Sequence, residues 1–173
     1  MDYNQSVSLS IRYIILLILG INIAIIYTIA TPLTVYPVFY AFDYLYDATL
    51  YGGNVIGFKG YFAHIVDACI AGSAYYFLLI LNLTTPMSLA KRLKSLVFLL
   101  FSFYLVNVAR IIVFGIFFYK GFKYFDFTHL WTWYIGSTIF VVLLWFANIY
   151  LLKIKEIPIY SDIKSLLVES KFL

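Results

Sequence analysis

Charged residues make up only 12% of this 173-residue chain, about half the share in an average soluble domain. With 64% of residues apolar and a mean hydropathy of +0.95, that scarcity excludes a water-soluble globule. Cysteine occurs once, as Cys69, which excludes an intrachain disulfide scaffold. There is no internal repeat, no low-complexity tract and no Gly-rich phosphate loop. No basic patch interleaved with aromatics points to nucleic acid, so the net charge of +4 is a topology signal. What is present in abundance is apolar and aromatic surface, the latter 21% of residues, in one chain whose length suits a single membrane domain over 1–173.

The few charges divide the chain into spans. A bilayer core takes ~20 apolar residues per helix, and the uncharged stretches predict four transmembrane helices near 11–31, 67–85, 95–119 and 130–152. Thr28-Ile29-Ala30 loosely resembles a signal-peptide cleavage site. The apolar stretch before it is too long for the usual signal core, so the first span reads as an uncleaved anchor.

Orientation follows the lysines and arginines. Arg12, Lys91, Arg92, Lys94, Lys153, Lys155, Lys164 and Lys171 fall on one side of this arrangement. Lys59, Lys120 and Lys123 fall on the other, with Asp43, Asp47, Asp67 and Asp126. The richer side is expected to be cytoplasmic and to hold both termini, leaving 32–66 and 120–129 outside. Within the outer segment, Pro32 and Pro37 are expected to end the first helix. Val35, Val38, Phe39, Phe42, Leu45 and Tyr46 then recur at helical spacing, which predicts an amphipathic helix in the outer interface. Gly52-Gly53 and the run Val55–Phe62 predict a short β-hairpin with Lys59 at its tip. The predicted fold class is thus an all-α integral membrane protein carrying one outer amphipathic helix and a small hairpin.

Polar residues within the spans are candidates for function. A guanidinium in hydrocarbon costs at least ~2.5–3.5 kcal/mol on insertion scales, so Arg110 calls for a partner or a task. It stands nine residues before Tyr119, roughly 14 Å from that helix end at 1.5 Å per residue. Asn107 shares its face and is a candidate to hold it. Cys69 reads equally as a small apolar filler or as a nucleophile, and its small neighbours suit either close helix packing or substrate approach. His129 precedes a Trp-rich run and reads as an interfacial aromatic-belt residue or as a proton carrier; His64 is the competing histidine. The predicted topology brings Cys69, Arg110 and His129, from three spans, to one leaflet. A thiol, an imidazole and a fixed cation are the groups that thiol acyl transfer needs. Asp67, Ser73 and Tyr76 join Asn107 as supporting candidates.

At these residues the chain resembles the archaeosortase/exosortase family of membrane transpeptidases. Val66-Asp67-Ala68-Cys69-Ile70-Ala71-Gly72 is similar to the family's cysteine box, Asn107-Val108-Ala109-Arg110-Ile111 to its arginine box, and Thr128-His129 with the following span to its histidine box. Ile70 departs from the pattern, which has small residues directly after the cysteine, and the extra N-terminal spans of larger members are missing. The expectation is a minimal, archaeal form.

The resemblance implies a cysteine peptidase/transpeptidase at the outer face of the cell membrane. Its substrates would be secreted proteins ending in a short motif, a transmembrane helix and a basic tail. Cys69 would be the nucleophile, Arg110 the oxyanion or thiolate partner, and His129 the general acid and base. A lipid head-group amine would accept the acyl group, and neither metal nor organic cofactor would be required. Two other readings remain open on the residues alone. One is a transporter or channel subunit with Arg110 lining a path; the other is a non-catalytic membrane scaffold.

Overall fold

The computed structural model describes residues 3–170, so Lys171 lies outside the described residues. Two helices begin the chain: α1 (Tyr3–Ile21) and α2 (Ala24–Tyr46). A small sheet follows, of β1 (Thr49–Tyr51), β2 (Val55–Phe58) and β3 (Tyr61–His64). Next come α3 (Asp67–Ile70), α4 (Gly72–Leu83) and the long α5 (Leu89–Tyr119). The last helices are α6 (Phe125–Trp131), α7 (Ser137–Leu152) and α8 (Tyr160–Ser170). A π-helical turn over Thr132–Gly136 joins α6 to α7.

Three stretches among the described residues are helices long and apolar enough to cross a membrane: Ala24–Tyr46, Leu89–Tyr119 and Phe125–Leu152. The first corrects the expected boundaries. The predicted span over 11–31 is divided by a turn at Asn22-Ile23, where the Ile25 N–H donates to the Asn22 carbonyl. Pro32 and Pro37 lie inside α2 and do not end it. In an apolar setting no water competes for the backbone groups that proline frees, and neighbouring helices hold the segment in place. The expected interfacial helix is therefore the second half of α2. Its Val35, Val38 and Phe42 are buried as predicted, while Leu45 is exposed.

The second expected span, 67–85, is also divided. Ala71 adopts φ 60° and ψ 39°, a left-handed conformation that costs a residue with a Cβ ~1–2 kcal/mol. It splits α3 from α4, and the whole Asp67–Leu83 stretch is apolar but shorter than the three long helices.

The predicted hairpin is a three-stranded antiparallel meander in the order β1-β2-β3. Lys59 and Gly60 form the two-residue β2–β3 turn, with φ 46° and 83°. Positive φ at both positions is what a type I′ turn requires. The sheet stands on the second half of α2. Phe42 and Phe58 rings lie 4.7 Å apart, and Tyr46 meets Tyr119 of α5 at 4.7 Å. Burying such rings stabilises the joint by ~1.5–3 kcal/mol each. Gly115 lets Phe42 reach α5, because a Cβ there would overlap the ring. A second core layer joins α4, α5 and α7 through Leu78, Leu99, Phe103, Leu144 and Trp145.

At the end of the bundle away from the sheet, buried polar groups tie the chain together. Arg12 pairs with Asp162 at 3.0 Å and donates to the Leu83 carbonyl at 2.9 Å. Arg92 donates to the carbonyls of Asn82 (2.6 Å) and Thr85 (3.0 Å). Four basic positions of the richer side, Arg12, Lys91, Arg92 and Lys94, thus sit at or beside this end, on α1 and the start of α5.

Candidate active site

The break at Ala71 creates the site. A continuous helix would carry the carbonyls of Cys69 and Ile70 into its own ladder; the break leaves them without those partners. Asn107 of α5 supplies the missing donor, its Nδ2 reaching the Cys69 carbonyl at 2.9 Å and the Ile70 carbonyl at 3.4 Å. Two unpaired buried carbonyls would otherwise cost ~1–3 kcal/mol each. The Cys69 N–H donates to the Val66 carbonyl at 2.8 Å. With Ile70 fully buried beside it, the Cys69 backbone is fixed at both ends while the residue itself stays partly accessible.

Cys69, Arg110 and His129 line one cavity of about 230 Å³, which Val66, Ala68, Phe114 and Trp133 complete. Arg110 projects from α5, and its Nη1 donates to Ser137 Oγ at 2.6 Å. Ser137 Oγ in turn lies 3.4 Å from the Thr132 carbonyl, to which it donates. That carbonyl belongs to the π-helical turn. Such turns insert one residue into a helix and recur at functional sites; here the turn brings Ser137 under the guanidinium while Trp133 faces the cavity.

His129 is held by rings. It stacks on Phe125, with centroids 5.4 Å apart and planes 7° apart, and meets Phe114 edge-on at 5.2 Å. Among the described residues no carboxylate hydrogen-bonds its imidazole. The site therefore has a thiol, an imidazole and a guanidinium, with no acid completing a triad. Among the described residues the guanidinium has one side-chain hydrogen-bond partner, a neutral hydroxyl, and keeps donors available for an anionic group in the cavity.

Of the two histidines, His129 is in the cavity. His64 is on β3, exposed, with its Nε2 2.8 Å from Asn54 Nδ2. The supporting candidates divide sharply. Asn107 acts on the Cys69 backbone and not on Arg110, which corrects the expected pairing. Asp67 is exposed at the start of α3, and Ser73 is exposed at the start of α4; neither lines the cavity. Tyr76 is turned to α1, where its hydroxyl donates to the Leu16 carbonyl at 3.0 Å. Sequence reasoning missed Ser137, Phe114 and Trp133. A serine directly after Gly136 inside an apolar span is the one signal that pointed to Ser137.

Among the described residues no group of three or more His, Cys, Asp or Glu side chains is arranged to hold a metal ion. No protein family, curated protein or solved structure matches the chain.

Proposed function

We propose that the protein is a membrane cysteine peptidase/transpeptidase of the archaeosortase/exosortase type. The observation that supports this most directly is the shared cavity: a thiol from α3, a guanidinium from α5 and an imidazole from α6 around one small space.

The reaction runs in two balanced steps. His129 takes the Cys69 proton, and the thiolate attacks a substrate peptide carbonyl, forming a C–S bond. The tetrahedral oxyanion is met by Arg110, a charge-assisted contact stronger in the transition state than in the ground state. Collapse breaks the C–N bond, His129 returns the proton to the departing amine, and a thioester remains on Cys69. An incoming amine, which we assign to a lipid head group, gives up a proton to His129 and attacks the thioester. The C–S bond breaks, the acyl group passes to the amine, and the proton returns to sulfur.

The sheet end, with Lys59, Lys120 and Lys123, faces outside in this reading, and the Arg12 end faces the cytoplasm, in line with the positive-inside bias. Secreted proteins with a C-terminal motif, a membrane helix and a basic tail would then present the cleaved bond at the level of Cys69.

The test is co-expression with a reporter of that design, taken from the same genome. The wild type is expected to shorten the reporter, and Cys69→Ala to leave it full length at unchanged enzyme level. Shortening by the Ala variant overturns the assignment.

A further inference from the structure

The small sheet has an open edge that runs into the cavity. In the β2–β3 pairing Phe58 faces Tyr61 across the two-residue turn, Ile56 faces Ala63, and the Ile65 N–H donates to the Asn54 carbonyl at 2.9 Å. Hydrogen-bonding direction alternates along a strand. Tyr61, Ala63 and Ile65 thus turn their backbone groups to β2, whereas Phe62, His64 and Val66 turn theirs away from it.

No hydrogen bond to a described residue satisfies the outward N–H and C=O groups of Phe62 and His64, or the N–H of Val66. The Val66 carbonyl is already taken by the N–H groups of Cys69 and Ile70. Phe62, His64 and Val66 are all exposed. Val66 is extended, with φ −88° and ψ 167°, so the open ladder continues past the formal end of β3. From Phe62 to Val66 it covers roughly 13 Å at 3.3 Å per residue. Its last member lines the Cys69 cavity.

We infer that this edge receives an extended stretch of the substrate's backbone as an added strand and delivers the adjoining peptide bond to Cys69. The inference rests on the peptidase reading above. Alternating main-chain donors and acceptors at strand spacing are matched by another extended polypeptide, the recognition mode of strand addition. Exposed edges of this kind pair readily, and this one is neither bulged, charged nor covered by a helix. In such a site register is set by the ladder, and only the residue reaching the 230 Å³ cavity is read by its side chain.

Proline at an outward position removes one outward N–H and leaves the β2 ladder intact. With the co-expressed reporter, His64→Pro is expected to reduce shortening at least tenfold, and His64→Ala, which keeps the backbone N–H, to reduce it several-fold less than His64→Pro does. Equal shortening by wild type and His64→Pro overturns the inference alone; absence of shortening by wild type overturns the peptidase reading with it. A second measurement covers a misfolded proline variant. With p-benzoylphenylalanine at position 62 in the Cys69→Ala background, irradiation is expected to join the enzyme to the reporter segment just upstream of the cleaved bond. Cross-linking to the reporter elsewhere, to a second enzyme copy or to nothing overturns the added-strand assignment.

Discussion

Arg110 is the one charge between Lys94 and Lys120, and the Ser137 hydroxyl holds its guanidinium. Ser137 is one of several hydroxyl residues in the last span, and its meeting with Arg110 at 2.6 Å depends on the π-helical turn, which no spacing rule announces. Removing that hydroxyl frees the guanidinium to swing. Ser137→Ala is expected to slow reporter shortening about tenfold, equivalent to ~1.4 kcal/mol of barrier, with enzyme abundance unchanged on an immunoblot. Arg110→Lys keeps the charge and loses the planar fork; reporter shortening in pulse-chase is expected to fall to background. Asn107 teaches the same lesson. Its nearness to Arg110 in sequence suggested a partnership, but its amide answers a carbonyl 38 residues away. Asn107→Ala strands both carbonyls and is expected to cost about 1–3 kcal/mol per group, read as a lower melting temperature of the purified protein in detergent.

At the scale of elements, the apolar stretches were visible in hydropathy, and the sheet was visible in its glycines and aromatics. Helix boundaries were not. Proline is a reliable stop in water, where freed backbone groups are solvated and the chain can turn away. Inside a packed apolar bundle α2 continues through Pro32 and Pro37, and the interruption falls instead at Asn22-Ile23. Ala71 is equally silent in sequence, since alanine is the strongest helix former yet here adopts a left-handed conformation sustained by Asn107 and the buried Ile70. The joint between α2 and α5 offers a test. Gly115→Val places a Cβ and two methyl groups against the Phe42 ring. Overpacking of that order costs ~1–3 kcal/mol, and a reduced melting temperature is expected, partly restored by adding Phe42→Leu. A double variant no more stable than Gly115→Val would show that Phe42 is not the obstacle.

For the whole molecule, the chain's two ends meet in a buried ion pair. Arg12 is 7% and Asp162 3% exposed, and breaking such a pair leaves an uncompensated charge at a cost of ~3–5 kcal/mol. Asp162→Ala is expected to lower the yield of membrane-inserted protein far more than Lys164→Ala on the same helix. Sidedness has its own measurement. Asn82 heads a glycosylation sequon but is fully buried and donates to Ser95, so single cysteines are the better probes. In the Cys69→Ala background, Lys59→Cys is expected to react with an impermeant maleimide in intact cells, and Lys155→Cys only after lysis; the reverse pattern would invert the orientation.

The most direct test of the proposed acyl-transfer site is the intact mass of the wild-type protein isolated with its reporter. A thioester adduct on the peptide containing Cys69, equal in mass to the retained part of the reporter and removed by hydroxylamine, is the expected result. An adduct on another residue, or undiminished shortening in Cys69→Ala, would contradict it.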